Sequence, residues 1–240
     1  MVEIDHEMES ILLEALGTAD AEDRGPRTHL WVSEVGTVYG PSACHRKLWY
    51  AFHDAPRDPI PVQTLMAFEV GDVVHIRIST LLASTGRLLK REVYVDLSPW
   101  PVKGRLDILT DPRLRRIVEV KTIPYEMHPH IPKEEHIHQL LLYMHYFRMS
   151  SAPDYEELAG YDGSLVYISK NSRKGQPVLW AYRVQYDPAR VLSVLGEFLR
   201  AYWTARGEEI PERPKGFTHT KYPCAYCVFQ TTCWSRLEGR

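Results

Sequence analysis

Three of the four cysteines in this 240-residue chain fall within ten residues near its C-terminal end, as Cys224-x2-Cys227-x5-Cys233, while the fourth, Cys44, lies far upstream. No other feature constrains the fold as much. A tight turn aims the three late sulfurs at one point, a tetrahedral thiolate site takes four ligands, and the count closes with none left over. Bringing Cys44 to the same point requires the two ends of the chain to meet, with nearly the whole intervening sequence folded between them. The acidic N-terminal stretch lacks a basic region followed by an apolar one, so no secretory signal is expected and the thiols point to metal rather than to disulfides. By spacing alone, structural zinc and an iron-sulfur cluster are equally acceptable occupants.

The apolar and charged fractions, 44% and 25%, are those of an ordinary globular protein with one substantial core and room for a small appended subdomain. The longest apolar runs, such as Gln139-Leu-Leu-Leu-Tyr-Met, fall far short of the roughly 20 residues of a membrane span, so a soluble, cytoplasmic protein without membrane association is expected. A net charge of -2 and a pI near 6.6 exclude a protein that coats nucleic acid through global charge. Any such binding must be local, and the short basic groups at Arg46-Lys47, Arg113 to Arg116 and Lys170 to Lys174 each read on their own as solvated surface turns.

Periodicity divides the chain as follows. An amphipathic helix is expected over residues 1–17, then a polar linker over 18–28. Ser42 is placed to cap a helix through Cys44, Arg46, Trp49 and Tyr50 to about Phe52. Helical spacing of Leu65, Phe68, Val73, Ile76, Ile78, Leu81 and Leu82 predicts a long core helix from Val62 to about Thr85, with Gly86 as its C-terminal cap. Strands are expected at 88–97, 102–109, 116–122, 164–169 and 178–185, and helices at 133–149 and 188–206, the last with Pro188 in its first turn. There is no internal repeat.

Chemistry concentrates in the middle of this order. On a strand Glu119 and Lys121 share a face while Val118 and Val120 pack behind, and a carboxylate and an ammonium projecting from a buried sheet are costly unless something uses them. Asp107, brought alongside by a hairpin, adds a second carboxylate, the donor a hard divalent ion prefers. Gly71 and His75 lie one helical turn apart, so the missing side chain leaves room beside the imidazole; Gln139 and Tyr143 are likewise spaced on the next helix. Taken singly, each has a bland alternative: a surface E-V-K tripeptide, a structural histidine, a half-buried helix edge.

In order, Gly71-xxx-His75, Gly104-xx-Asp107, Glu119-x-Lys121 and Gln139-xxx-Tyr143 resemble the motifs of the RecB-like branch of the PD-(D/E)xK nucleases. With Cys44 before them and Cys224, Cys227 and Cys233 after them, the chain resembles, over about residues 40 to 235, the iron-sulfur exonucleases of CRISPR adaptation, the "Cas four" family. Leu106 stands where the superfamily's name has Pro, residues 1–30 have no counterpart, and no G-x-x-x-x-G-K-[ST] loop of a helicase motor is present.

The resemblance implies an α/β fold: a restriction-endonuclease-like core, a central mixed sheet flanked by helices, over 61–206. A small iron-sulfur subdomain would form from 31–60 and 207–240, after an N-terminal helix and linker at 1–30. It implies Mn or Mg held by His75, Asp107, Glu119 and the Val120 carbonyl, with Lys121 positioning the attacking water and Gln139 and Tyr143 orienting the strand or the water. Cys44, Cys224, Cys227 and Cys233 would hold a cluster, [4Fe-4S] favoured over [2Fe-2S]. The implied activity is 5′→3′ digestion of single-stranded DNA for CRISPR spacer acquisition in antiviral defence, with an integrase complex as partner and homo-oligomers open. A stand-alone phage or repair nuclease and a non-catalytic, zinc-stabilised DNA adaptor are the alternatives. Trp49, Tyr50, Tyr222, Tyr226 and Trp234 are placed to stack on bases or to shield the cluster, and Arg46 and Lys47 to contact phosphates. His128, His130, His136 and His138 lack a favourable ligand spacing, although His136 is placed to line the cleft.

Overall fold

The alternating apolar segments assemble into one six-stranded mixed sheet in the computed structural model, which describes residues 8, 10, 11, 27–149 and 156–235. The strands are β1 (Leu30–Trp31), β2 (Leu88–Asp96), β3 (Val102–Thr110), β4 (Arg116–Ile123), β5 (Asp162–Ser169) and β6 (Leu179–Val184), ordered β1-β3-β4-β5-β6 with β2 also on β3. The β2–β3, β3–β4 and β5–β6 pairs are antiparallel hairpins, whereas β4 and β5 run parallel. A parallel pair needs a crossover, supplied here by α4 (Glu134–Met149). The other helices are α1 (Val35–Val38), α2 (His45–Phe52), α3 (Val62–Ser84), α5 (Pro188–Arg206) and α6 (Gln230–Ser235).

One face of the sheet carries α4 and α5. Leu140, Leu141, Met144 and Phe147 of α4 and Val191, Leu195 and Phe198 of α5 join Ile117, Leu165 and Tyr167 in the main core. Pro188 begins α5 as expected, and Asp187 caps it by accepting from the Arg190 N–H at 3.0 Å. On the other face of β4, Val118 and Val120 pack with Ile108 against Val74, Ile78 and Leu82 of α3.

That helix departs from expectation. It spans the predicted residues and ends with Gly86 at φ 64°, but it is not a core helix. Its apolar packing on the sheet comes from the i, i+4, i+8 row of Val74, Ile78 and Leu82, while Phe68, Val73, Ile76 and Leu81 are exposed. An apolar stripe wider than the surface it covers leaves its flanks in water, and periodicity reports the stripe rather than the cover.

Two further differences lie near the thiols. Ser42 does not cap α2; the N-cap position is Cys44, without a side-chain cap bond. Residues expected in the thiol subdomain instead enter the main core: β1 pairs with β3, and Val32, Val35, Val38 and Leu48 are buried there. Of the helix expected over residues 1–17 only 8, 10 and 11 are described, and these are helical; the rest lies outside the described residues. Among the described residues no helix is long and apolar enough to cross a membrane.

Candidate active site

β3 and β4 pair only at Ile108 with Val118 and Leu109 with Ile117 before they diverge. Past this fork the Val120 N–H donates not to a strand carbonyl but to Asp107 Oδ2 at 2.7 Å. The other Asp107 oxygen lies 3.5 Å from His75 Nδ1, which α3 delivers from the exposed side. From β4, Lys121 Nζ donates to Glu119 Oε1 at 2.6 Å, and Gln139 Nε2 of α4 donates to the same oxygen at 2.7 Å. Gln139 is in turn 3.4 Å from the Tyr143 hydroxyl, which donates to the Arg105 carbonyl at 3.0 Å. Gln139 and Tyr143 are thus buried parts of the site, not a half-buried edge.

Gly104 makes this arrangement sterically feasible. A Cβ there would stand 2.8 Å from Tyr143 Cε1 and 2.9 Å from Val32 Cγ2, so the bare backbone admits the ring that brings Gln139 to Glu119. Gly71 has no such role. A Cβ there would meet only Thr122 Oγ1 at an ordinary 3.7 Å, so the residue does not make room for His75.

The second Glu119 oxygen, Oε2, is buried with no hydrogen-bond partner. A buried carboxylate oxygen left without donors is unfavourable unless a ligand completes it. Burial raises the Asp107 pKa to about 6, against the opposing pull of the Val120 N–H and Lys121. Burial likewise raises Glu119 to about 7, with Lys121 opposing and Asp107 adding to the rise. For Lys121 burial acts to lower the pKa, but the Glu119 charge and hydrogen bond outweigh it and the ammonium is retained. His75, Asp107, Glu119, Lys121 and Gln139 line one open cavity of about 1280 Å³.

A match to the PD-(D/E)XK nuclease superfamily spans residues 12–234. The chain belongs to that superfamily. Its fold is similar to the crystal structure of SSO0001 (TM-score 0.58, 15% identity, 95% of this chain and 97% of that one). It is also similar to an alkaline exonuclease, LHK-Exo, from Laribacter hongkongensis (TM-score 0.50, 16% identity, 79% and 90%), and to LHK-Exo in complex with dAMP (TM-score 0.50, 16% identity, 74% and 88%). At these identities the likeness is one of fold. Among curated proteins none matches the chain.

Nucleases of the PD-(D/E)XK superfamily use divalent metal ions, and the donors here suit one: an imidazole, two carboxylates and an orphaned buried oxygen. One donor close to these groups was not legible in the motifs. Glu92 of β2 offers an oxygen that, with one ligand atom each of His75 and Asp107, forms a set all within 4.8 Å of one another. A lone acidic residue in a strand carries no motif; only the hairpin register could have found it.

Drawn from near both limits of the superfamily match, Cys44, Cys224, Cys227 and Cys233 line one small cavity with Tyr50, Phe229 and Trp234. Burial raises the Cys44 thiol to about 11, the three other thiols adding to the rise, so all four act on one another. Among the described residues, no three of their sulfurs lie within 4.8 Å of each other. A second cavity of about 260 Å³ reaches Cys44, Cys224 and Cys227 at one end and Lys121 and Gln139 at the other, and Lys47, Tyr222 and Tyr226 also line it.

Arg46 is not placed as expected for a phosphate contact: its guanidinium donates to the Pro211 carbonyl at 3.1 Å and to the Tyr50 hydroxyl at 3.2 Å. Trp49 and Tyr50 are buried against Phe229, whereas Tyr222 and Tyr226 are exposed. His128 stacks on Trp180, His138 meets Glu134 and Arg190, and His136 lines the second cavity beside Lys121.

Proposed function

We propose that this protein is a metal-dependent DNA exonuclease that hydrolyses phosphodiesters at the β3–β4 fork. The observation that carries the reading is the partnerless buried Oε2 of Glu119 beside Asp107 and His75. Superfamily membership supports it, and so does the likeness of fold to an alkaline exonuclease that has been crystallised with dAMP.

His75, Asp107, Glu119 and the Val120 carbonyl would hold the ion, Mn or Mg. A divalent ion there supplies neutralisation of the charge that builds on the phosphoryl oxygens and lowers the pKa of an attacking water. Lys121, kept protonated by Glu119, is a donor rather than a base: it orients the water and offsets phosphoryl charge. Gln139 holds Glu119 Oε1, leaving Oε2 free for the ion. Tyr143 stays neutral because burial raises its pKa, and it anchors Gln139 rather than transferring protons.

The finer reading follows the motif order: 5′→3′ digestion of single strands, in CRISPR spacer acquisition with an integrase partner, and an iron-sulfur cluster on the four cysteines. Four thiols lining one cavity suit a centre held by four cysteines, and the motif order favours a cluster there over zinc. Exposed Tyr222 and Tyr226 are placed to stack on unpaired bases.

Digestion of an end-labelled single strand with Mn against EDTA tests the activity, and iron and sulfide determination tests the cluster. Asp107→Ala, Glu119→Ala and Lys121→Ala should each lower cleavage by about 10²–10³-fold or more. Near-normal cleavage by Glu119→Ala in Mn overturns the assignment, and failure to co-purify with an integrase removes the CRISPR context alone.

A further inference from the structure

Across the β2–β3 hairpin from Asp107, Glu92 combines two unfavourable features. The register pairs Arg91 with Ile108 and Val93 with Leu106, so Glu92 stands opposite Asp107, and opposite residues of an antiparallel pair share a face. Like charges so placed repel. The Glu92 backbone also has φ 54°, in the left-handed region that a non-glycine residue within a strand rarely adopts. Both features fall where His75 arrives from α3, and one ligand atom each of His75, Glu92 and Asp107 lies within 4.8 Å of the others. The same cavity is lined by Glu119, whose buried Oε2 has no partner.

We propose that Glu92 is an additional cation ligand, entering from β2, a strand that none of the sequence motifs reaches. It completes the outer side of the ion held by His75, Asp107 and Glu119. Arg105, two residues before Asp107, competes for it through an ion pair at 2.5 Å, with both side chains largely exposed. With the Val120 carbonyl the donors number five, three of them carboxylates, a hard, oxygen-rich set suited to Mn or Mg. The inference rests on the metal-dependent reading above.

Mn²⁺ titration of the full chain, by calorimetry or by electron paramagnetic resonance of the free ion, tests it without recourse to activity. Glu92→Gln should weaken Mn²⁺ binding about tenfold, and Arg105→Ala, which removes the competitor, should tighten it. Glu92→Gly should weaken binding equally while raising the melting temperature without metal, because glycine accepts the left-handed backbone and removes the repulsion. Asp107→Asn is the control. If it abolishes binding while Glu92→Gln binds as the parent does, the role of Glu92 is overturned and the nuclease reading stands. A Glu92→Gly chain that melts lower without metal assigns the residue to the fold and also overturns the role. A parent chain that binds no Mn²⁺ overturns both.

Discussion

Glu119 shows what one side chain demands of the protein around it. Its carboxyl is buried, Lys121 and Gln139 satisfy one oxygen, and the other has no donor. Its pKa is raised by burial, so the stability it contributes is fully present below the unfolded value, near 4.5, and is lost as pH rises through about 7. Without metal, Glu119→Gln should therefore melt higher than the parent at pH 8 and nearly equal to it at pH 5. The gap is on the order of 3 kcal/mol, taking about 1.36 kcal/mol per pKa unit over the rise to about 7. Added Mn should reverse the order at pH 8, because only the parent has the second carboxylate oxygen to offer. Calorimetric melts at both pH values check this. The Glu119–Lys121 pair was legible in the sequence because a strand's period of two puts both on one face. Glu92 was not, because its partner Asp107 is a neighbour through register rather than through spacing.

At the level of elements, the site exists because β3 and β4 stop pairing. Two ladder pairs hold the hairpin, and beyond them Asp107 takes the Val120 N–H that a continuing strand would have taken. The two motif glycines divide accordingly. Gly104→Ala should destabilise the fold by about 1–3 kcal/mol through overpacking against Tyr143 and Val32, and it should weaken metal binding by displacing Gln139. Gly71→Ala, in a helix interior with only an ordinary contact, should be neutral or stabilising by up to about 1 kcal/mol. Denaturant titration of both variants decides the contrast, and a severe Gly71→Ala defect would restore that residue to the site. The limits of α3 were readable from its apolar spacing and its glycine cap. Its place on the surface was not, since that depends on how much sheet is left for it to cover.

At the scale of the whole molecule, segment 49–58 is tied to segment 207–232. The Asp58 N–H donates to the Val228 carbonyl at 2.6 Å, the Thr231 N–H to Asp58 Oδ2 at 2.8 Å, and the Thr232 hydroxyl to the Pro56 carbonyl at 2.8 Å. Trp49 donates to the Gly207 carbonyl at 2.8 Å, so these bonds join the chain segment that follows Cys44 to the one that carries the three late cysteines. Cys44→Ser should lose the proposed cluster's absorbance near about 400 nm and melt several degrees lower while retaining Mn binding. The fork residues come from strands that the main core holds independently. Loss of Mn binding in Cys44→Ser would instead couple the two centres through the cavity that joins them.

Local order was written into the chain: the strand and helix segments, the face shared by Glu119 and Lys121, and the four thiols that had to meet. These follow from periodicity and ligand count, which depend on near neighbours. Long-range packing supplied the rest: the fork between β3 and β4, the orphaned Glu119 oxygen, Glu92 opposite Asp107, and the exposed flank of α3. Each depends on which segments, distant in sequence, exclude water from one another, and that is set by the assembled fold rather than by any stretch of residues.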